Sequence, residues 1–388
     1  MNVDQVRKDF PVLENKIYLN SAAHGPTLKP VYDSVNQWWI NRINEKRIDP
    51  PDVLHEAAKL LHCHKEELIQ ISRVSQGLNM IAGLLDPKKG ENIVVTELAY
   101  QSNVFVWMPF LKKGAEIKRI PHREGIIKIE DFEKTIDEKT KAVCISEVEW
   151  TSGLRYDMKS VSEIAHDHGA YIINDAYQAV GSVDVDVRAE KVDFFVVGSE
   201  KWLCCPAMSG IFYIKKEIQD EFEPVYRFYG NVEEAFKEGA PWEKPDHDNI
   251  SSYKYPLYND ARKFNRGTVS EGSTWGFNAA LKYFNKIGSN AIEKRTTFLS
   301  QRLIDGLKDL QVKINTPYEE DKRASLVTFN AGNFKLNQKI YDKLLNENTI
   351  IAHRYAAGVG GIRVSCHFFN TKEEIDLLLE NLSKTLVD

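Results

Sequence analysis

The chain has 388 residues, of which 43% are apolar and 28% charged, and its formal net charge is −5. This length exceeds what one hydrophobic core usually serves, so two domains are expected. The composition is that of a globular protein, and the small net charge favours neither nucleic acid nor an anionic membrane as a partner.

The first ten residues carry charges throughout and lack the apolar centre of a secretory signal. No apolar run approaches the roughly 18 residues that a membrane span needs. The cysteines are odd in number and irregularly spaced: Cys63, Cys144, Cys204, Cys205 and Cys366. Free thiols in a reducing compartment explain this pattern better than a disulfide framework does. We therefore predict a cytoplasmic protein.

Two histidine groups, His62-Cys63-His64 and His166/His168, lie in helical contexts. We interpret them as packed or solvated side chains, and the Cys204-Cys205 pair has no partners at the spacing of zinc ligands. No metal site is predicted.

The chain begins with a predicted short helix over 3–10 and an extended piece over 17–19. That piece runs into Asn20-Ser21-Ala22-Ala23-His24-Gly25, where small residues before Gly-Pro predict a turn that lets the backbone approach a ligand. Predicted helices follow over 30–47 and 52–62.

From residue 68 onward, apolar β-type runs alternate with helical patterns. Strands are predicted over 68–71, 93–96, 117–120, 142–148, 171–175, 192–198 and 211–214. Helices are predicted over 75–85, 102–112, 130–136 and 157–167. This alternation predicts an α/β fold with a mainly parallel seven-stranded sheet covered by helices on both faces.

Residues 222–258 show no clear period and combine prolines with many aromatic side chains, so we predict a long ordered loop at the entrance of the site. Beyond it, a smaller α+β domain is predicted, with helices over 274–285, 290–307 and 371–386 and strands over 325–330 and 362–365. The predicted division is a segment 1–16 packing on the small domain, a large domain 17–257 and a small domain 258–388.

Two neighbouring apolar runs end in reactive side chains. The run at 171–173 leads to Asp175, and the run at 192–197 leads to Lys201. Open α/β sheets place ligands at the carboxyl ends of such buried parallel strands. A lysine there can form a Schiff base with an aldehyde, and an aspartate can hold a pyridinium nitrogen protonated. The alternatives are a lysine covering a sheet end and an aspartate capping a helix.

The residues around these strand ends also carry a family resemblance. The patterns are D-A-x-Q-x-x-G at Asp175, Ala176, Gln178 and Gly181, D-F at Asp193-Phe194, and G-S-x-K-W at Gly198, Ser199, Lys201 and Trp202. They resemble the aminotransferase class V family, which includes cysteine desulfurases and isopenicillin N epimerase-like proteins. The similarity runs from about residue 18 to the C-terminus. It implies a fold-type I enzyme that uses pyridoxal 5′-phosphate (PLP).

The resemblance assigns residues to this cofactor. Lys201 would carry it as a Schiff base, and Asp175 would pair with its ring nitrogen. Gln178 would bond its phenolic oxygen, and Tyr100 would stack on its ring. The expected contacts to the phosphate are Ser75, Gln76, Ser199, Gly267 and Thr268. For the first of these we expect a helix N-cap, which leaves backbone amides free for an anion.

Gly267 and Thr268 belong to an R-G-T segment whose family counterpart reaches the phosphate of a neighbouring subunit, so the resemblance implies a homodimer. Arg363 lies in or beside a predicted strand, where arginine is unexpected unless it meets a carboxylate. The resemblance makes it the ligand of the substrate α-carboxylate, and an internal salt bridge is the alternative. Other residues placed near the substrate are Asn20, Ala22, His24 and Trp150.

The sequence departs from the desulfurase branch at two points. Glu200 stands where that branch has a histidine directly before the lysine, and an ionised carboxylate cannot donate to a phosphate. The segment 351–362, IAHRYAAGVGGI, holds no cysteine and is short for a mobile loop. Transfer of sulfur through an enzyme persulfide is therefore disfavoured.

We predict a homodimeric PLP enzyme that acts at the α-carbon of a small-molecule amino acid. Transamination is favoured, with C–S lyase chemistry and epimerisation as alternatives. A dinucleotide enzyme is disfavoured because no G-x-G-x-x-G follows the early strands. A non-catalytic protein of the same fold is a further alternative, against which the set Lys201, Asp175 and Arg363 argues.

Overall fold

A computed structural model describes residues 1–233 and 256–387. The predicted entrance loop over 222–258 therefore falls largely outside the described residues. In the first part the helices are α1 (Val3–Arg7), α2 (Lys29–Ile43), α3 (Val53–Leu60), α4 (Val74–Leu85), α5 (Gln101–Phe105), α6 (Met108–Leu111), α7 (Ile129–Thr135) and α8 (Met158–Asp167). After residue 256 they are α9 (Glu271–Ile287), α10 (Ser289–Asp309), α11 (Phe334–Asn346) and α12 (Lys372–Val387).

The strands up to residue 233 are β1 (Ile17–Tyr18), β2 (Leu68–Ile71), β3 (Asn92–Thr96), β4 (Glu116–Ile120), β5 (Thr140–Ser146), β6 (Tyr171–Asp175), β7 (Phe194–Gly198) and β8 (Gly210–Ile214). Those after residue 256 are β9 (Lys313–Ile314), β10 (Leu326–Asn330), β11 (Thr349–Ile350), β12 (Ala352–Ala356) and β13 (Val359–Ser365).

A seven-stranded sheet forms the centre of the fold, in the order β2-β8-β7-β6-β5-β3-β4. Its pairs are parallel except those made by β8, which runs antiparallel to both β2 and β7. Strands β3, β7 and β8 are buried throughout, as expected for a sheet covered on both faces. The predicted mainly parallel α/β architecture is confirmed.

The central strands bring the two reactive ends side by side. Asp175 is the last residue of β6 and pairs with Val196 of β7, and β7 ends at Gly198, three residues before Lys201. Because β6 and β7 are parallel, both chains leave the sheet at the same edge.

The second sheet has the order β12-β13-β10-β9, and its pairs are antiparallel. A separate parallel pair joins β1 to β11. The N-terminal segment contacts the same region, since Arg7 forms an ion pair with Glu374 at 2.9 Å and Phe10 lies 4.6 Å from Phe369 between ring centroids. The division into domains at 16/17 and 257/258 stays a prediction.

One predicted helix is interrupted in the structure. Residues 102–112 form two short helices, α5 and α6, instead of one. Pro109 lies in the first turn of α6, where its missing N–H is tolerated, whereas in the interior of a long helix it would break the hydrogen-bond ladder. Among the described residues, no helix is long and apolar enough to cross a membrane.

Candidate active site

Asp175 provides a buried acid at the C-terminal end of β6. Its side chain is 4% exposed and accepts a hydrogen bond from the backbone N–H of Tyr177 at 3.1 Å. Burial raises the pKa of the Asp175 carboxyl, and the Tyr177 amide and the charge of Lys201 oppose that rise. An ionised carboxylate at this position is therefore favoured by a nearby cation.

Lys201 extends its amine into the same region. Its Nζ atom lies 3.9 Å from the ring centroid of Tyr177 and 5.7 Å from that of Tyr100. Burial lowers the pKa of the Lys201 amine to about 8; Asp175 raises that pKa and Arg363 lowers it. An amine with such a pKa is partly neutral near neutral pH, and a neutral amine is the form that attacks a carbonyl carbon.

The N-terminal turn holds the backbone around Lys201. The N–H of Gly25 donates to the carbonyl of Glu200 at 2.8 Å. A Cβ atom at Gly25 would lie only 2.0 Å from the Lys201 carbonyl oxygen, so no larger residue fits. The turn predicted at 20–25 is thus packed against the segment that carries the lysine.

Tyr177 is a neighbour of Lys201 that the sequence analysis did not single out. Its ring lies over Gly198, where a Cβ atom would approach a ring carbon to 2.7 Å. Burial is the largest factor that raises the pKa of the Tyr177 hydroxyl. The Glu200 carboxylate raises it further, through its charge and through a hydrogen bond to the hydroxyl. Glu200, at the family's histidine position, thus pairs with Tyr177. The signal available in the sequence was an aromatic residue between Asp175 and Gln178.

Gln178 is already engaged within the protein. Its Nε2 donates to the carbonyl of Ala22 at 3.1 Å, and its Oε1 accepts from Nε1 of Trp202 at 2.7 Å. These bonds tie the N-terminal turn to β6 and to the lysine segment. Nε2 has a second hydrogen, so the predicted bond to a cofactor oxygen stays a prediction.

The predicted phosphate contacts are only partly brought together. Helix α4 begins at Val74 with Arg73 as its N-cap, so the predicted N-cap role of Ser75 is wrong; Ser75 is exposed in the first turn. Gln76 accepts a hydrogen bond from the N–H of Ser72 at 2.7 Å. A cavity of about 470 Å³ opens here, lined by Ser72, Arg73, Ser75, Gln76, Asn79, Tyr226 and Arg266.

Gly267 and Thr268 line a smaller adjoining cavity together with Gln76 of the same chain. Their predicted approach to a neighbouring subunit stays a prediction. Ser199 is fully buried, and its hydroxyl donates to the carbonyl of Pro206 at 2.7 Å. The predicted contact of Ser199 with a phosphate stays a prediction.

Arg363 lies in β13 and is 2% exposed. One guanidinium nitrogen, Nη1, donates to the carbonyl of Trp150 at 2.8 Å, while Nε is buried without a partner. Burial, and then the charge of Arg354, lower the pKa of Arg363 to about 9. Within the described part of the chain no carboxylate pairs with Arg363, so its unused donors suit an anion supplied by a ligand.

Of the other predicted substrate residues, Trp150 contacts Arg363, whereas Asn20 and His24 lie in the N-terminal turn. Asn20 bridges to Ser365 at the end of β13, and its Oδ1 is buried without a partner. The rings of Tyr100 and Trp150 meet edge to face at 5.5 Å. His24 is exposed, and its carbonyl accepts a hydrogen bond from the Tyr18 hydroxyl; none of the described residues forms a hydrogen bond or ion pair with its side chain.

Glu149 is a second residue that the sequence analysis missed. It is fully buried, and its Oε1 accepts hydrogen bonds from Thr96 at 2.7 Å and Tyr156 at 2.8 Å. Burial raises the pKa of Glu149 to about 7, and the charge of Asp175 contributes to the rise. Glu149 therefore connects the ends of β3 and β5, from which Tyr100 and Trp150 extend. A glutamate directly after the predicted strand 142–148 was the available signal.

The thiols do not have the environment of nucleophiles. Cys204, Cys205 and Cys366 are buried, and burial is the largest factor that raises the pKa of each, to about 12 for Cys366. A thiol with a raised pKa stays protonated and unreactive near neutral pH. No group of three or more potential metal ligands occurs in the described ranges 1–233 and 256–387.

The residues present fit PLP. Asp175 offers a buried carboxylate for a cationic ring nitrogen, Lys201 offers an amine with a lowered pKa, and Tyr100 lies close to that amine. Fold and site together define a PLP-dependent enzyme of fold type I. The model of the aminotransferase class-V family matches residues 52–378, and the chain belongs to this family.

Known proteins resemble the chain over nearly its whole length. A probable cysteine desulfurase from Methanothermobacter thermautotrophicus is 26% identical, with 99% of this chain and 98% of the relative covered. The apo structure of a cysteine desulfurase from Thermococcus onnurineus superimposes with a TM-score of 0.86 at 24% identity, covering 99% of this chain and 98% of that one. The cystine C–S lyase C-DES, solved with its product cysteine persulfide, gives a TM-score of 0.83 at 19% identity, covering 96% and 99%.

Proposed function

We propose that the chain cleaves a C–S bond of a cysteine-derived amino acid in a PLP-dependent reaction without an enzyme persulfide. The observation that carries PLP chemistry at an α-carbon is that the charges of Asp175 and Arg363 both act on the buried Lys201 amine. The cysteine desulfurases that resemble the chain favour C–S cleavage over transamination, which the sequence analysis favoured. The burial of the thiols argues against an enzyme persulfide.

When bound, PLP supplies an aldehyde for the substrate amine and a ring that withdraws electrons from the α-carbon. Lys201 is the base that takes the proton from the α-carbon, because its buried amine has a pKa of about 8, near neutrality. Glu149, whose pKa is about 7, is instead engaged by the hydroxyls of Thr96 and Tyr156.

Asp175 would hold the ring nitrogen of the bound cofactor in its protonated form. Arg363 binds the α-carboxylate, and Tyr100 and Trp150 form one wall of the site.

A product assay tests this function. The protein loaded with PLP is incubated with L-cysteine, L-cystine and S-substituted cysteines, and pyruvate, ammonia, sulfide, persulfide and keto acids are measured. Equimolar pyruvate and ammonia support C–S elimination. Alanine formed together with persulfide, or with sulfide when an added thiol serves as reductant, points to desulfuration. Keto-acid formation that requires a second amino acid points to transamination.

Changing Cys204, Cys205 and Cys366 together to serine is expected to leave turnover within several-fold of wild type, after correction for PLP content. Each thiol is buried, and burial raises the pKa of each, so none is poised as a nucleophile. Each buried hydroxyl costs roughly 1–3 kcal/mol of folding stability if it finds no partner. Cys144→Ser, which alters a fully buried thiol in β5, controls for that loss. A hundredfold loss of turnover in a variant that binds PLP normally would make a thiol catalytic.

The rate at which the apoprotein captures PLP is expected to rise with pH and to level off above about pH 8. The neutral fraction of the Lys201 amine grows about tenfold per pH unit below its pKa, which lies at about 8. Stopped-flow absorbance of the Schiff base measures this rate. Arg363→Gln should move the midpoint to higher pH, because the positive charge of Arg363 lowers the Lys201 pKa. A midpoint near pH 10 in the wild type would contradict the buried environment.

A further inference from the structure

The amine of Lys201 lies over the face of an aromatic ring. Its Nζ atom is 3.9 Å from the ring centroid of Tyr177, whereas the ring centroid of Tyr100 is 5.7 Å away. The face of an aromatic ring carries partial negative charge, so it attracts a cation within about 6 Å of the centroid. This attraction is stronger where water is excluded, and the Lys201 amine is buried. Tyr177 is therefore the nearer of two rings that favour the charged form of this amine.

Contacts at both ends of Tyr177 fix the position of its ring. The ring lies over Gly198, where a Cβ atom would approach the ring carbons Cε2 and Cζ to 2.7 and 2.8 Å. Any residue larger than glycine at this position would displace the ring. The backbone N–H of Tyr177 donates to the Asp175 carboxylate at 3.1 Å. The ring is thus held at the ends of β6 and β7, beside the segment that carries Lys201.

The hydroxyl of Tyr177 donates a hydrogen bond to the Glu200 carboxylate. Glu200 directly precedes Lys201, and its own backbone carbonyl accepts a hydrogen bond from the N–H of Gly25 at 2.8 Å. A hydroxyl that donates to a carboxylate is polarised toward the phenolate, which makes the attached ring richer in electrons. The charge of Glu200 also favours the charged form of Lys201 directly. Glu200 therefore acts on Lys201 both through the ring and through space.

The other charged groups near Lys201 come from distant parts of the chain. Asp175, at the end of β6, raises the pKa of the amine, and Arg363, in β13, lowers it. Arg73, the N-cap of α4, acts on Tyr177 and lowers the pKa of its hydroxyl. In the proposed reaction Asp175 pairs with the cofactor and Arg363 with the substrate. Tyr177 and Glu200 then remain to interact with the amine once both ligands are bound.

We propose that Tyr177 is a positioning residue for Lys201, whose ring holds the free amine and stabilises the positive charge that the amine gains with the substrate α-proton. This rests on the proposed function, in which Lys201 is the base. In that step the bond between the α-carbon and its hydrogen breaks, and a bond between Nζ and that hydrogen forms. The electron pair stays with the substrate and is drawn toward the cofactor ring. A ring already placed beside Nζ needs no rearrangement when the charge appears.

Competitive labelling of the full-length protein without PLP measures the titration of the Lys201 amine. A trace of an acylating reagent is added over about pH 5 to 10, and mass spectrometry of the Lys201 peptide gives the midpoint. Tyr177→Leu and Tyr177→Met remove the ring, and Tyr177→Phe keeps it. The matched control is Tyr213→Leu, because Tyr213 is 1% exposed in β8 and its hydroxyl donates to Glu67 at 3.4 Å. Thermal unfolding identifies the variants that fold.

Both aliphatic variants are expected to lower the midpoint by roughly 0.5–1.5 pH units, so that labelling at about pH 6 becomes roughly 3- to 20-fold faster. Tyr177→Phe should keep most of the wild-type midpoint, and Tyr213→Leu should keep it whole. With PLP bound, Tyr177→Leu should slow exchange of the substrate α-proton and move the pH profile of that exchange in the same direction. A midpoint that does not fall in the aliphatic variants, or that falls equally in Tyr177→Phe, overturns the proposal.

If neither aliphatic variant folds, Glu200→Gln is made alone and together with Tyr177→Phe. Glu200→Gln should lower the midpoint more when the Tyr177 hydroxyl is present, because only then does the carboxylate polarise the ring. An equal effect in both backgrounds overturns the proposal.

Failure of the proposed function gives a different result. If Lys201 is not the base, the labelling midpoint still falls in the aliphatic variants, while the pH profile of α-proton exchange stays at its wild-type position. If the ring does not act on the amine, the labelling midpoint is unchanged whichever reaction the protein catalyses.

Discussion

Lys201→Ala is expected to lower turnover of the true substrate by at least roughly three orders of magnitude, because it removes both the anchor of the cofactor and the proposed base. The variant should still bind PLP, more weakly, through Asp175 and the phosphate contacts. Absorbance titration measures that binding, and product assays measure turnover. Borohydride reduction of the wild type, followed by peptide mapping, should leave the pyridoxyl group on Lys201.

Lys215→Ala is the matched control. Lys215 follows β8, which is antiparallel to β7, and so leaves the opposite edge of the sheet. Its amine lies 3.9 Å from Asp193. This variant should keep both cofactor and turnover. A pyridoxyl label on any lysine other than Lys201, or turnover retained in Lys201→Ala, would show that the assignment is wrong.

Asp175→Asn is expected to slow proton removal from the α-carbon by a hundredfold or more, which corresponds to about 2.7 kcal/mol or more of transition-state stabilisation. The neutral amide cannot keep the ring nitrogen protonated, so the ring withdraws electrons less strongly. The Schiff base should still form. The pKa of Lys201 should also fall, because the Asp175 charge raises it in the wild type. Single-turnover absorbance and exchange of the α-proton with solvent measure these effects.

Asp193→Asn controls for the loss of a buried carboxylate. Asp193 is 3% exposed and directly precedes β7, at the edge of the sheet opposite Asp175, where it contacts His166 at 2.8 Å. The Asp193→Asn variant should be less stable than the wild type. At equal PLP content it should still exchange the substrate α-proton with solvent at the wild-type rate. Exchange within threefold of wild type in Asp175→Asn, less than about 1 kcal/mol, would refute the pairing with the ring nitrogen.

Much of the fold was accessible from the sequence because the apolar runs of the central sheet are short, continuous and separated by helical patterns. Each of the seven strands of the central sheet was predicted to within a few residues. Short strands without a strong pattern were missed, among them β9 and β11, because two-residue strands depend on partners far away in the chain. Strand β12 was missed because His353 and Arg354 interrupt its apolar alternation.

The phosphate region shows where local sequence is insufficient. Ser75 has the side chain of a good N-cap, yet the helix begins one residue earlier with Arg73 as its cap. Helix boundaries depend on tertiary packing, and here Val74 is buried in the core. The partner of the Ser199 hydroxyl, the carbonyl of Pro206, was likewise not evident from the local sequence.

The sequence by itself determined the class of chemistry, since Asp175 and Lys201 end adjacent parallel strands and parallel strands deliver their ends to one edge. Tertiary structure decided the direction of each polar side chain, because its partner lies far away in the chain: Ala22 for Gln178, Trp150 for Arg363 and Thr96 for Glu149. It also decided the pKa of Lys201, since burial and the charges of Asp175 and Arg363 arise only when the two sheets meet. The sequence pattern of one strand does not indicate which residues pack against the end of that strand.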